Sequence, residues 1–260
     1  MTPFEIIQRT GPIILGQPHG GTFVPDDIAA KLDDNGRRLT DTDWHIAALY
    51  DGLLEDVTVV RANFHRYVID ANREPLGHSL YPGQNTTGLV PLTDFDGVSI
   101  WNEAPNEADI QNRITSFHRP YHAALEAEIA RVKARHGFAI VYDCHSIRSH
   151  IPFLFDGTLP DLNIGTNNGS TCNTQIETAA LSMASQSGFS HVLNGRFRGG
   201  WTTRHYGHPS ENIHAIQMEI VQSVYLETEA APFAYSQAKA AKLRPVLASI
   251  LNAIAGDITK

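Results

Sequence analysis

Two cysteines, Cys144 and Cys172, are too few for a disulfide framework, and no metal-type spacing links them. No apolar run approaches the ~20 residues of a membrane-spanning helix. The opening stretch, Met1-Thr-Pro-Phe-Glu-Ile-Ile7, lacks the basic and apolar regions of a secretory signal. The expected address is therefore the cytoplasm. Basic residues are outnumbered, 20 Lys and Arg against 28 Asp and Glu, for a formal net charge of −8. That balance argues against nucleic acid as a partner. There is no G-x-G-x-x-G or Walker pattern, so no nucleotide is expected. No G-x-S-x-G elbow is present to carry a serine nucleophile. Internal repeats, low-complexity tracts and linkers are also missing, and residues 1–260 are read as one domain.

Lysine is scarce too: fifteen arginines stand against five lysines. Arginine grips carboxylates with two parallel hydrogen bonds and lysine does not, so the bias leans towards a small anionic substrate. Nothing in the sequence speaks to oligomeric state.

What is present is a set of apolar strands that end in polar groups. Phe138-Ala-Ile-Val-Tyr-Asp-Cys-His-Ser146 starts as a buried strand, central in a parallel sheet, and turns polar at Asp143 and His145. Cys144 is expected to face the core, opposite His145. Pro12-Ile-Ile-Leu-Gly16 is a second strand and runs into Gln17-Pro-His-Gly-Gly21, which carries His19. Arg66 to Arg73 reads as a third strand, ending in Asp70, Asn72 and Arg73. In open α/β sheets ligands bind outside the carboxyl ends of strands, so these ends point to one site. The fold class expected is α/β.

Asp43 precedes the amphipathic Trp44–Tyr50 segment and is either a helix cap or a metal ligand. His214 to Val221 is the last strand, and it places Glu219 in an apolar run. A carboxylate there is either paired with an arginine or poised as a general base beside a metal. Asn72-Arg73 is a plausible carboxylate clamp, with an Arg73–Asp70 ion pair as the plainer reading. Residues 196–207 gather Arg196, Arg198 and Arg204 among glycines, which favours an anion site. Residues 74–102 form a long irregular stretch, expected to fold over the site. His118 and His122 have the i, i+4 spacing of a zinc pair, but Arg119 stands where the protease motif needs Glu, and Pro120 interrupts the helix.

His19, His145 and Asp43 make a three-ligand set for Zn²⁺ with a fourth position open for water. The expected chemistry is attack of zinc-bound water on a carbonyl, with Glu219 taking the proton.

Several long blocks resemble the N-formylglutamate amidohydrolase (N-formylglutamate deformylase) family. They are Pro18-His-Gly-Gly, Asp41-Thr-Asp-Trp-His, Val68-Ile-Asp-Ala-Asn-Arg, Tyr81-Pro-Gly-Gln-Asn-Thr-Thr-Gly, Tyr142-Asp-Cys-His-Ser, Asn163-Ile-Gly-Thr-Asn-Asn-Gly, Gly199-Gly-Trp-Thr-Thr-Arg-His-Tyr-Gly and Ala215-Ile-Gln-Met-Glu. The resemblance implies hydrolysis of N-formyl-L-glutamate to formate and L-glutamate, the last step of one bacterial route of histidine degradation. It also implies kinship with zinc carboxypeptidases and aspartoacylase, hence a mixed, mostly parallel sheet flanked by helices. By the same resemblance His19 and His145 are metal ligands, Glu219 is the general base, and Asn72 and Arg73 hold a substrate carboxylate. The wider superfamily takes a Glu ligand three residues after the first His, where this chain has Thr22. The carboxylate ligand is therefore expected at Asp43, with Asp41 in reserve. Arg204, and Arg66 or Arg196, are expected to meet the second carboxylate of the substrate. The alternatives are a zinc amidohydrolase for another N-acyl amino acid, or a non-catalytic protein that binds acidic small molecules.

Overall fold

Nine consecutive buried residues, Ala139–Ile147, form the strand on which the sheet is built. The computed structural model describes residues 2–78 and 83–256. The strands are β1 (Phe4–Ile7), β2 (Ile13–Gln17), β3 (Thr58–Ala62), β4 (Ala139–Ile147), β5 (Leu162–Gly165), β6 (His191–Leu193) and β7 (Ile213–Val221). They make one mixed sheet of seven strands in the order β1-β3-β2-β4-β7-β5-β6. The β3-β2-β4-β7 centre is parallel, as is the β5–β6 pair; β1 joins β3, and β5 joins β7, antiparallel.

The helices are α1 (Asp26–Ala29), α2 (Ile46–Tyr50), α3 (Glu107–Arg113), α4 (Arg119–His136), α5 (Thr174–Ser185), α6 (Trp201–Tyr206) and α7 (Gln237–Gly256). Among the described residues no helix is long and apolar enough to cross a membrane.

Alternation along the strands divides the core in two. Ile13, Leu15, Ile140, Tyr142, Cys144, Ile216 and Met218 face α2, α5 and α7. Ile14, Val60, Val141 and Ala215 face α4, which brings Tyr121, Leu125, Ile129 and Val132. Cys144 lies in the first of these cores, as its parity with Tyr142 requires. Continuing the second face towards the carboxyl ends of β4 and β7, the apolar residues give way to Asp143, His145, Gln217 and Glu219. The register pairs Asp143 with Gln217 and His145 with Glu219.

After β2 the chain visits β3 on one side, then returns to place β4 on the other. The carboxyl ends of β2 and β4 thus flank a topological switch point, where a parallel sheet opens a crevice. His19 lies two residues beyond β2, and His145 lies within β4.

Several elements differ from the sequence reading. Asp143, His145 and Ser146 do not follow the β4 strand but belong to it, because β7 pairs with β4 through Ile147. Residues 66–73 are not a strand; they form a buried irregular turn, with Arg73 N–H donating to Asp70 O. Ile151–Phe155 is likewise a turn. The strand β1 was not anticipated, since its residues carry no alternating pattern. Asp43 is no helix cap: α2 starts at Ile46, its N-cap is His45, and no side chain caps it. Helices α3 and α4 form one rod through a π turn at Ile114–His118, immediately before the Pro120 that lacks an N–H to continue the regular ladder. The 83–102 segment contains no helix, and its Asn85, Thr86, Thr87 and Phe95 turn inward onto a cleft. Tyr81-Pro82 of the Tyr81–Gly88 block lie outside the described residues.

Candidate active site

His19, Asp43 and His145 are buried, and one donor atom from each lies within 4.8 Å of the others. Three separate elements deliver them. His19 follows β2; Asp43 is tied beside it by its N–H donating to His19 O at 3.0 Å; His145 comes from β4. Gly21 allows the loop to pass here, since a Cβ on it would collide with the Ala62–Asn63 backbone.

The outer ring nitrogens are held by carboxylates. His19 donates Nε2–H to Asp70 Oδ1 at 2.6 Å, so its Nδ1 keeps the lone pair. Nε2 of His145 stands 3.0 Å from Asp143 Oδ1 and 3.1 Å from Asn72 Nδ2. The two Nδ1 atoms face each other at 3.2 Å, and Asp43 Oδ2 is 3.4 Å from that of His145 and 3.9 Å from that of His19. With Nε2–H of His145 turned to Asp143, two lone pairs and a carboxylate oxygen converge on one point. They repel unless a positive charge lies between them. The other tautomer fills the gap with a proton. Two imidazoles and one carboxylate, each with an outer partner, are the donor set and support that a divalent zinc ion uses.

Burial, and then the Arg66 charge, lower His19, which stays neutral. Burial would also lower His145, but the Asp143 carboxylate raises it well above its ordinary range. Burial would raise Asp43, yet Arg66 and the two histidines hold it below its usual range. Its Oδ1 accepts from Arg66 Nη2 at 2.6 Å and its Oδ2 from Ser146 N–H at 3.0 Å. Asp41, the reserve ligand, is elsewhere: its Oδ2 accepts from Tyr67 Oη at 2.8 Å and Phe95 N at 2.9 Å.

Above the set opens a narrow cleft of about 70 Å³. Glu219 lines it, and burial pushes its carboxyl up to about 8. Gln217 Nε2 donates to Glu219 Oε2 at 3.2 Å, while Gly200 N–H donates to Gln217 Oε1 at 2.6 Å, which fixes the amide orientation. Asn72 and Arg73 also line the cleft. The Arg73 guanidinium is braced by Thr87 O at 2.9 Å and by the Thr86 and Thr87 hydroxyls at 3.2 and 3.1 Å. The Arg73–Asp70 ion pair exists but is long, at 3.9 Å. Arg66 and Arg196 line the same cleft. Arg204 does not; its Nε donates to Gly199 O at 2.9 Å within the α6 region. The 196–207 run brings Arg196, Phe197 and Gly200, not Arg204, to the cleft.

The family profile of N-formylglutamate amidohydrolase matches residues 11–226. The chain belongs to the N-formylglutamate amidohydrolase family. Two relatives named N-formylglutamate deformylase, from Pseudomonas aeruginosa and Pseudomonas putida, are each 43% identical over 247 residues, covering 94% of this chain and 92% of each relative. The crystal structure of N-formylglutamate amidohydrolase from Ralstonia eutropha JMP134 superposes with a TM-score of 0.81 at 23% identity, covering 97% of this chain and 98% of that one. This member of the N-formylglutamate amidohydrolase family is thus a hydrolase acting on an amide bond.

Sequence reasoning gave no supporting role to three groups that the geometry sets beside the candidate residues: Asp143, Gln217 and Asp70. Asp143 and Gln217 stand two residues before His145 and Glu219, so period-two alternation places each beside its partner and is a readable signal. Asp70 reaches His19 from an irregular turn, where no periodicity exists to read.

Proposed function

We propose that this protein hydrolyses N-formyl-L-glutamate to formate and L-glutamate with a zinc ion held by His19, Asp43 and His145. Convergence of two Nδ1 atoms and a carboxylate oxygen within 4.8 Å, at the floor of an arginine-lined cleft, carries the reading. The names of the 43%-identical relatives support the substrate. When bound, zinc supplies Lewis acidity and brings the pKa of a water to roughly 7.

The chain's own residues do the rest. Arg73, pre-braced by Thr86 and Thr87, binds a substrate carboxylate through a guanidinium whose conformational freedom is already spent. Arg196, which also lines the cleft, meets the second carboxylate in this reading, a role the sequence reading gave first to Arg204. Glu219 removes a proton from the attacking water as its oxygen bonds to the formyl carbon. It returns that proton to the nitrogen as the C–N bond breaks, so formate leaves and the amine of glutamate is completed. Burial raises the Glu219 carboxyl, and a cation beside it would shift it back downward towards the base form. Gln217 pins one oxygen and keeps the carboxylate aimed. A cytoplasmic place in histidine degradation belongs to the same proposal.

Formate release from N-formyl-L-glutamate, before and after chelation and after zinc is returned, tests it. Turnover abolished by chelation and restored by zinc is expected. Turnover that survives complete metal removal overturns the zinc mechanism, and a metal-loaded enzyme without turnover overturns the substrate.

A further inference from the structure

Asn72 and Arg73 carry much of the proposed site, yet they lie in no strand or helix. No sheet ladder fixes the carbonyls on either side of Asn72. Both carbonyls are instead bound by one helix face. His122 donates Nε2–H to Ala71 O at 2.8 Å, and His118 donates Nε2–H to Arg73 O at 2.9 Å. A carbonyl only accepts, so it dictates the tautomer of each ring. The Nδ1 of His122 then accepts from the Tyr206 hydroxyl at 2.9 Å.

We infer that His118 and His122 are positioning residues, a two-point clamp that sets the Asn72–Arg73 segment against His145 and the cleft. The inference rests on the substrate-binding reading of Asn72 and Arg73 given above. Several features fit a clamp and not a metal pair. The Nδ1 of His122 is already taken by the Tyr206 hydroxyl, and among the described residues no carboxylate joins this pair in a donor cluster. The rings pack with centroids 4.4 Å apart, and the edge of His122 meets the Trp201 ring at 4.5 Å and 90°. Burial lowers both histidines, so they remain neutral, as a donor to a carbonyl with an acceptor at the other nitrogen needs.

The clamp is completed from the other side. The Asn72 N–H donates to Asp70 Oδ1 at 2.8 Å, and Asn72 Oδ1 accepts from Thr202 N–H at 2.8 Å. Gly200 must lack a side chain here, because a Cβ would collide with the Asn72 amide. Asn72 is thus held by backbone and side chain at once, and its Nδ2 is left directed at His145. The π turn ends at His118 and α4 carries His122, so the two histidines stand one turn apart on the same rod.

The deciding comparison is Gln against Asn at each position. The amide of Gln reaches about as far as ring Nε2 and preserves the donor; that of Asn stops short. We would measure metal content, backbone hydrogen exchange over residues 70–74, and KM and kcat for N-formyl-L-glutamate. His118→Gln and His122→Gln are expected to retain metal, near-normal exchange and KM. For His118→Asn and His122→Asn the expectation is retained metal, faster exchange at Asn72 and Arg73, and KM raised roughly three- to tenfold, the effect of about one lost hydrogen bond. The fall in kcat should be smaller. Equal behaviour of the Gln and Asn variants in both exchange and KM overturns the clamp. So does an Asn variant that loses thermal stability while exchange at 70–74 and KM stay normal. Should wild-type protein not act on N-formyl-L-glutamate, the substrate reading fails, while the exchange comparison still decides whether the clamp exists.

Discussion

His19 and His145 are 126 residues apart, whereas His118 and His122 share one helix face four residues apart. By spacing alone the second pair looks like the metal site. In the structure the donor atoms that converge belong to the distant pair. In the distant pair the outer nitrogens face carboxylates, Asp70 and Asp143, so the inner Nδ1 atoms are left to converge beside Asp43. In the local pair each Nε2 faces a backbone carbonyl, and those rings end up as donors to the main chain. What separates the pairs is the inner nitrogens: those of His19 and His145 converge with Asp43, whereas His122 Nδ1 is taken by the Tyr206 hydroxyl.

Removing a member of the distant pair should have the largest effect. His145→Ala is expected to lose bound metal and essentially all turnover, checked by metal analysis of the purified protein. A fully loaded variant would remove His145 from the ligand set. Next comes Glu219→Gln, which keeps the metal because Glu219 is not in the donor set. It should reduce kcat by roughly 10²–10⁴, the range of general acid–base catalysis. Wild-type kcat in that variant would leave the base unassigned. A smaller effect is expected for Asp70→Asn, which keeps the shape but removes the charge behind His19. Zinc affinity should weaken about 10–100-fold, read by competition with a chelator. Unchanged affinity would mean that Asp70 merely packs.

The smallest effect concerns the local pair and pH. Burial lowers His118, and it lowers His122 well below the ordinary range. In the unfolded chain both bind protons as pH falls through about 6.5, while the folded protein resists. The stability they contribute is therefore whole above that pH and is lost progressively below it. The urea midpoint should fall less steeply between pH 7 and 5 in His118→Gln/His122→Gln than in the parent. Parallel curves would show that these rings are not held neutral.

Much of the site was legible because its key members lie at strand ends, where an apolar run stops and polar residues begin. His19 and His145 were candidates in that way, Glu219 as a carboxylate inside an apolar run, and Asn72-Arg73 as a carboxylate clamp that the family resemblance also implies. Asp43 was visible only as one of two readings, cap or ligand, since its neighbours in sequence suit a helix start. The cap reading gave way because Arg66 and the Ser146 N–H, both distant in sequence, draw its carboxylate to the histidines. Arg204, expected to meet a carboxylate, is absent from the cleft lining for a related reason. Its segment does reach the cleft, but a helical turn sends its side chain back to Gly199 while Arg196 lines the wall.

By itself the sequence determined the α/β class, the buried central strand, the order of the blocks and the residue types able to bind a metal and an anion. Those follow from local periodicity and from the cost of burying charge without a partner. Tertiary structure alone decided which nitrogen of each histidine is free, which carboxylate joins them, and which arginine faces the cleft. Each of these is fixed by hydrogen bonds between residues far apart in the chain, which local spacing does not encode.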